Sequence, residues 1–263
     1  MPFTLSHPVA AVPFKRLGFS LSALVVGSMS PDFIYILKLH PQIGYTHTIA
    51  GLFTFCLPAS WVVLWLYHWV LKQPLASIVP GILPPAEPSR PNSGRLKHFG
   101  LVSASILLGA CTHIVWDGFT HETGWMVAFW PALNRTALDL GFDQVSLARL
   151  LHHVSSLIGG AWLVWVIKRH LARTWNLDAP GACRGGRRTL RPVLALAGVS
   201  AGLGWLYAWV ALRPIVHYSQ LREMMLNGMA ASGAALITLL VLYSIAWHAA
   251  RRMRTAEETI PDM

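Results

Sequence analysis

Histidine and aspartate recur at helical spacing in the middle of the chain. His113, Asp117 and His121 are separated by four residues each, so on a helix they would lie along one face. Imidazole nitrogen and carboxylate oxygen are the ligands that zinc and similar divalent ions prefer. The spacing therefore predicts a metal-ligand set. Glu122, which directly follows His121, is a candidate general base.

Other ionisable residues stand at the ends of apolar segments. Of the 11 acidic residues, only Asp32 and Asp117 fall inside such segments. A buried acid in a bilayer costs about 3 kcal/mol or more, and usually has a partner or a function. His47 opens the second apolar segment, and the pair His152 and His153 opens the fourth. These residues extend the candidate ligand set, with His153 favoured over His152.

The composition is that of a membrane protein. Of the 263 residues, 54% are hydrophobic and 12% are charged, whereas soluble domains carry about 25% charged residues. The hydrocarbon layer requires internally satisfied backbone groups, and about 20 apolar residues cross it as a helix. We therefore predict an all-α polytopic transmembrane helix bundle. Its six apolar segments are 20–37, 47–71, 99–120, 152–167, 192–212 and 229–248.

The first segment is the least regular of the six. Gly27 and Pro31 interrupt it, and Ser30-Pro31-Asp32 has the residue types of a helix start. The segment is therefore expected either to span the membrane in a broken form or to be re-entrant. A spanning segment would leave His7 on the side opposite the other candidate ligands. A re-entrant segment would let His7 reach them.

Basic residues indicate the orientation. Lys and Arg concentrate in the N-terminal segment, residues 72–98, residues 168–191 and the C-terminal tail, which places both termini in the cytoplasm by the positive-inside rule. The candidate ligands then gather near the outer face of the membrane. The net charge of +10 does not indicate nucleic-acid binding, because the basic residues lie in loops between apolar segments and form no single stripe.

Three regions are expected along the chain. Residues 1–170 would form a helical membrane domain that carries the polar site. Residues 171–191 would form a basic cytoplasmic loop. Residues 192–263 would add two further transmembrane helices and a cytoplasmic tail.

Several short motifs together resemble a bacterial membrane family known as a domain of unknown function, DUF4184. The likeness covers roughly residues 1–170, and the last two segments contribute nothing to it. The motifs are Leu5-Ser6-His7-Pro8, Gly27-Ser28-Met29-Ser30-Pro31-Asp32, His47-Thr48 with Gly51, the run from His113 to Trp125, and His153 with Ser155, Ser156 and Gly159. More distantly, the pattern resembles inner-membrane proteins regarded as metal-dependent hydrolases and the His-x-x-x-Asp ligands of zinc-dependent phospholipase C.

The resemblance implies a function and a ligand set. It implies a membrane-embedded, zinc-dependent hydrolase that acts near the outer leaflet on a phosphoester or lipid-linked substrate, with membrane lipids as its surroundings. Asp117, His121 and Glu122 would be catalytic. The metal ligands would be His7, Asp32, His47, His113, Asp117, His121 and His153. Two alternatives use the same polar cluster: an ion or proton transporter, and a non-catalytic membrane protein held together by the cluster.

Overall fold

The computed structural model describes residues 4–39, 44–78, 95–139, 141, 144–174, 182–212 and 218–258. It is almost entirely helical, which confirms the predicted all-α polytopic bundle. Within these residues, six helical stretches are long and apolar enough to cross a membrane, so the chain is a multi-pass membrane protein. These spans are Leu21–Lys38, Ile49–Ile78, Leu96–Thr120, Leu147–Arg169, Arg191–Ala211 and Glu223–Arg254. Each corresponds to one of the six predicted apolar segments.

The α-helices are numbered in chain order. They are α1 (Pro8–Ala11), α2 (Leu21–Met29), α3 (Phe33–Lys38), α4 (Ile49–Gly51), α5 (Leu57–Leu66), α6 (Lys72–Ile78), α7 (Arg95–Thr120), α8 (Trp125–Phe129), α9 (Leu147–Thr174), α10 (Ala182–Ala211) and α11 (Tyr218–Glu258). Short 3-10 turns occupy Thr4–Ser6, Val12–Leu17, Ser30–Asp32, Tyr45–His47 and Pro131–Asn134, and π-helical turns occupy Leu52–Cys56 and Tyr67–Leu71. An antiparallel hairpin pairs β1 (Thr136–Asp139) with β2 (Gln144–Ser146).

Contacts divide the chain into two units, which are described separately. The first comprises Met1–Phe33, Ile43–Leu64 and Ser89–Arg169, and the second comprises Ile34–Gln42, Trp65–Pro88 and His170–Met263. The expected basic loop 171–191 is helical at both ends, because α9 continues to Thr174 and α10 begins at Ala182. Residues 175–181 lie outside the described part of the chain.

The first span is broken where Gly27 and Pro31 predict it. Between α2 and α3, residues Ser30–Asp32 form a 3-10 turn. Pro31 has no N–H and cannot donate to the Gly27 carbonyl as an α-helix would require. The Ser30 hydroxyl donates to that carbonyl instead, at 2.8 Å. The Gly27 carbonyl therefore keeps a hydrogen bond at the break. It needs one, because no water is present in the hydrocarbon layer to satisfy a free carbonyl.

Residues 4–17 fold back along α2 and bring the N-terminal end to the site. Gly18, at φ +90°, adopts the left-handed conformation that ends the 3-10 turn Val12–Leu17, and α2 begins at Leu21. At the far end of α2, the Thr4 hydroxyl donates to Asp32 Oδ2 at 2.7 Å. The two alternatives drawn from the sequence are thus not exclusive. Leu21–Lys38 is long enough to span, and His7 Nε2 still lies 3.7 Å from Asp117 Oδ1.

Helix α2 runs parallel to α7. Near the start of α2, the Ser20 N–H donates to Ser105 Oγ at 3.0 Å. Near its end, the Ser28 carbonyl lies 2.7 Å from His113 Nδ1. In both contacts the two residues are 85 positions apart in the sequence. The pairing therefore continues along the helices and brings Asp32, just after α2, beside Asp117 near the end of α7.

Glycine permits this close pairing. A Cβ at Gly27 would overlap the Ile106 carbonyl, and a Cβ at Gly109 would overlap the Leu24 carbonyl. Helices in a membrane associate through small residues that let their backbones approach. The two glycines therefore set the distance between the two buried aspartates.

The rest of the first unit surrounds this pair. Thr48 caps α4 by accepting from the Gly51 N–H at 3.1 Å, which places His47 immediately before the second span. Beyond α7, the short helix α8 packs on the end of α7 through Phe119 and Val127. At the start of α9, Ser146 Oγ accepts from the Arg149 N–H at 3.2 Å.

The second unit contains a long helical hairpin. Helices α10 and α11 run antiparallel, with Gly204 packed against Ser232 and Gly228 packed against Trp205. In the same unit, His248 Nε2 lies 3.1 Å from the Val70 carbonyl.

Candidate metal centre

The described part of the first unit contains a buried cluster of imidazoles and carboxylates. Its members come from the folded-back N-terminal segment, the break after α2, the turn before α4, the last turns of α7 and the residue that follows α7. Six of the seven predicted metal ligands belong to it: His7, Asp32, His47, His113, Asp117 and His121.

Four of these residues form a compact ligand group. Asp32, His47, His113 and Asp117 each offer one ligand atom, and these atoms all lie within 4.8 Å of one another. His113 Nε2 is 3.3 Å from Asp117 Oδ2 and 3.5 Å from Asp32 Oδ1. His47 Nε2 is 3.5 Å from the same Asp117 oxygen. Two carboxylates and two imidazoles in this arrangement could hold a divalent metal ion.

The outer atoms of this group are held by the surrounding chain. His113 Nδ1 donates to the Ser28 carbonyl at 2.7 Å, which leaves a lone pair on Nε2 toward the carboxylates. Thr4 Oγ1 donates to the outer oxygen of Asp32. Thr46 Oγ1 lies 3.1 Å from His47 Nδ1. Hydrogen bonds on the outer atoms of metal ligands fix their tautomer and orientation.

The inner atoms lack such partners. Four of them are buried and make no hydrogen bond within the described part of the chain: His7 Nε2, Asp32 Oδ1, His113 Nε2 and Asp117 Oδ1. A buried polar atom without a partner costs about 1–3 kcal/mol, so such atoms are rare. A bound cation would satisfy several of them at once. The donor set therefore fits a metal ion.

His7 and His121 flank the other oxygen of Asp117. His7 Nε2 and His121 Nδ1 each lie 3.7 Å from Asp117 Oδ1. Burial, reinforced by the neighbouring His113, lowers the pKa of His7 to about 3. Burial also lowers the pKa of His121. Both imidazoles are therefore neutral at physiological pH, which is the form that binds metal.

One family model matches almost the whole chain. It is the domain of unknown function DUF4184, and it covers residues 1–251. The chain belongs to the DUF4184 family. The match extends well beyond residue 170 and includes α10 and most of α11, so the expectation that the last two segments contribute nothing to the likeness is wrong. No curated protein and no solved structure matches the chain.

In this DUF4184 chain, the neighbouring histidines of α9 take different positions. The ring of His152 meets that of His121 edge to face, with centroids 5.5 Å apart. His152 is half-buried, whereas His153 is exposed and its ring contacts that of His152 at 5.1 Å. The structure thus places His152, rather than the favoured His153, beside the cluster.

Glu122 points toward α9 and away from the ligand group. Its Oε1 accepts from Ser146 Oγ at 2.7 Å and lies 3.2 Å from Arg149 Nη2. The Glu122 side chain is 42% exposed. In this position it joins the end of α7 to the start of α9, and a role as general base would require it to leave this ion pair.

Several residues that hold the ligands escaped the sequence reasoning. Thr4 and Thr46 contact ligand atoms, but threonine hydroxyls are too common to stand out in a single sequence. Gly159 of α9 packs directly against Ser6 and so holds the segment that carries His7. The resemblance did point to Ser6, Ser28 and Gly159, without indicating that Ser6 touches Gly159 or that the Ser28 carbonyl holds His113.

Proposed function

We propose that this protein is a membrane-embedded, metal-dependent hydrolase of phosphoesters, with zinc as the metal. The observation that carries the proposal is the group Asp32, His47, His113 and Asp117, whose ligand atoms lie within 4.8 Å of one another. Hydrogen bonds hold the outer atoms of these side chains, and several inner atoms have no such bond within the described residues. This is the arrangement expected of a preorganised cation site.

The metal would supply two effects. Such an ion would lower the pKa of a bound water to near neutrality and would stabilise negative charge on the attacked group. The chain itself holds the ion through carboxylates and neutral imidazoles and excludes bulk water, since His113 is fully buried.

Proton transfer to the leaving group requires an acid at the margin of the site. We assign this role to His152, which is half-buried and stands next to His121. Its neutral imidazole can become that acid by first taking a proton from the attacking water. In the hydrolysis, water adds to phosphorus and gives a proton to His152, the phosphorus–oxygen ester bond breaks, and the departing oxygen takes that proton from His152.

The position of the site favours a lipid or lipid-linked phosphoester. Asp117 lies within one turn of the end of α7, where the third span ends at Thr120. Beyond it, Trp125, Phe129 and Trp130 are exposed, as is typical of aromatic side chains at a membrane interface. A substrate with its headgroup at this level could reach the site laterally.

The folded-back N-terminal segment refines the proposed orientation in a bacterial inner membrane. Lys15 and Arg16 lie near the Gly18 turn, at the Leu21 end of α2, whereas Thr4 and His7 lie at the site. Basic residues favour the cytoplasmic side. We therefore propose a cytoplasmic turn at Lys15 and Arg16 and a site near the outer leaflet, with Thr4 and His7 at the outer side. This differs from the cytoplasmic N-terminal segment expected from the sequence. A cytoplasmic C-terminal tail stays a prediction.

A hydrolysis assay tests the proposal. The full chain is purified in detergent without chelator, supplied with Zn²⁺, and given a chromogenic phosphodiester or a phospholipid in mixed micelles. We expect turnover that is lost on chelation, restored by Zn²⁺ and absent in Asp117→Asn, while His98→Ala on the same helix retains it. Bound metal without turnover of either substrate would overturn the hydrolase proposal. A protein that binds no metal would overturn the metal centre as well.

A further inference from the structure

We infer that the site takes two metal ions, and that the carboxylate of Asp117 bridges them. The inference rests on the proposed function, since the first ion is the one held by Asp32, His47, His113 and Asp117. The second subsite consists of His7, His121 and the other oxygen of Asp117.

The two oxygens of Asp117 face different sets of imidazoles. Oδ2 faces His113 at 3.3 Å and His47 at 3.5 Å. Oδ1 faces His7 and His121, each at 3.7 Å. One carboxylate thus offers one oxygen to each set, which is the arrangement of a bridging ligand.

The imidazoles of His7 and His113 have the spacing of two adjacent ions. Their rings stack with centroids 3.8 Å apart and 20° between the planes. His7 and His113 lie side by side at this distance, and each faces a different oxygen of Asp117. Two ions bound to these two imidazoles would therefore lie at a similar distance from each other. Hydrolytic two-metal sites place their ions about 3.5–4 Å apart.

A single ion would leave the His7 side of the cluster unsatisfied. His7 is 4% exposed, and its Nε2 and Asp117 Oδ1 make no hydrogen bond within the described residues. His121 Nδ1 donates to the Asp117 carbonyl oxygen at 3.1 Å. The lone pair of the neutral ring is therefore on the buried Nε2, which makes no such bond within the described residues. An ion shared by Asp32 Oδ1, His113 Nε2 and Asp117 Oδ2 satisfies none of these atoms. A second ion would satisfy them.

The net charge of the metal-loaded site indicates the class of substrate. The buried ligand set contains two carboxylates, Asp32 and Asp117, and its imidazoles bind metal in the neutral form. Two divalent ions would exceed this negative charge, so the loaded site would attract an anion. A phosphoester, whose oxygens could contact both ions, is the ligand chemistry that such a site favours.

Metal stoichiometry tests the inference without relying on activity. The full chain is depleted of metal, titrated with Co²⁺ or Zn²⁺ in detergent, freed of excess ion and measured by elemental analysis. We expect two ions per chain in the unaltered protein and one in His7→Ala. We expect magnetic coupling between the two Co²⁺ ions, which His7→Ala abolishes. His98→Ala, an exposed histidine on α7, should retain both ions and the coupling.

The outcomes separate this inference from the function on which it rests. One ion in the unaltered protein, unchanged in His7→Ala, would overturn the second subsite and leave the metal-dependent hydrolase in place. Two ions in both proteins would overturn the role of His7. No bound ion in the unaltered protein would overturn the proposed function itself. His7→Gln, checked for an unchanged elution volume and helical circular dichroism, repeats the test if His7→Ala does not fold.

Discussion

Gly159 of α9 packs directly against Ser6, the residue before the buried His7. A Cβ at Gly159 would overlap the Ser6 side chain and lie 2.9 Å from the Ser6 Cα. We expect Gly159→Ala to displace the N-terminal segment and weaken metal binding at His7. Overpacking of this kind costs about 1–3 kcal/mol, which corresponds to a roughly 5- to 150-fold loss of affinity if it falls on the bound state.

The adjacent glycine supplies the control. A Cβ at Gly160 would meet no atom within 4 Å in the described structure, and alanine is the better helix former by about 1 kcal/mol. Gly160→Ala should therefore keep full metal affinity, as measured by calorimetric titration. Equal affinities in the two variants would show that the contact with Ser6 does not position His7.

The Thr4 hydroxyl should orient Asp32. It donates to Asp32 Oδ2 at 2.7 Å, and loss of such an outer hydrogen bond typically weakens metal affinity about 10- to 100-fold. Thr4→Val keeps the shape and removes the donor, so we expect a loss of this size in metal titrations. Thr112→Val is the control, because the Thr112 hydroxyl donates to the Gly109 carbonyl of its own helix. A Thr4→Val protein with unaltered affinity would contradict the assignment.

His7 should make the metal-free protein less stable in acid. Burial lowers its pKa from 6.5 in the unfolded chain to about 3 in the folded protein, so the unfolded state binds the proton more readily between these values. The stabilising contribution is complete above pH 6.5 and is lost progressively as the pH falls toward 3. Lowering the pH to about 5 should cost about 2 kcal/mol of unfolding free energy.

The measurement compares His7→Gln with the unaltered protein. Unfolding by denaturant in detergent, with chelator present, gives the unfolding free energy at each pH. The variant should lose the part of the acid dependence that His7 contributes, and His98→Gln should keep it. Parallel pH profiles for all three proteins would show that the buried His7 imidazole is not the source of the acid sensitivity.

His152 and His153 should behave differently in turnover. His152 contacts His121, whereas His153 is exposed. If His152 donates the proton to the leaving group, His152→Ala should lower kcat about 100-fold or more while retaining bound metal, as general acid catalysis contributes about 10²–10⁴-fold. His153→Ala should change kcat little. The reverse order of effects would restore His153 as the functional member of the pair.

Thiol labelling should reveal the orientation. In a chain whose three cysteines are replaced by alanine, single cysteines are placed at Arg16, near the Gly18 turn, and at Asn134, beyond α8. Both positions are exposed. A membrane-impermeant thiol reagent added to intact cells should label Asn134→Cys and spare Arg16→Cys until the cells are lysed. Labelling of Arg16→Cys from outside would contradict a cytoplasmic turn.

The six spans were predictable because the hydrocarbon layer offers no hydrogen-bond partners to the backbone. Long apolar segments must form helices, and their limits follow from the sequence within a few residues. The break at Pro31 was predictable for the same reason, since proline lacks the donor that a helix needs. The pairing of His113 with Asp117 followed from their helical spacing, which local geometry alone determines.

Contacts between distant segments were not predictable in the same way. The return of residues 4–17 along α2 depends on the left-handed turn at Gly18 and on packing against Gly159, and neither is visible in hydropathy. The choice between His152 and His153 depends on how α9 is rotated about its axis. Neighbouring side chains on a helix point about 100° apart, so only one of the two can face the cluster. Glu122 follows His121 directly and was therefore a candidate for catalysis. Its actual partners, Ser146 and Arg149, lie in a later segment, so the sequence did not show that they engage it.

The break at Pro31 also constrains how this segment can change. In a continued α-helix, the Ser28 carbonyl would accept from the Asp32 N–H, and His113 Nδ1 would have to share that oxygen with a second donor. Replacing Pro31 with a better helix former would therefore improve the helix locally and disturb an imidazole on another helix. The effect of a substitution at position 31 therefore depends on how it alters the contact between Ser28 and His113. The helix propensity of the new residue is a poor guide to that effect.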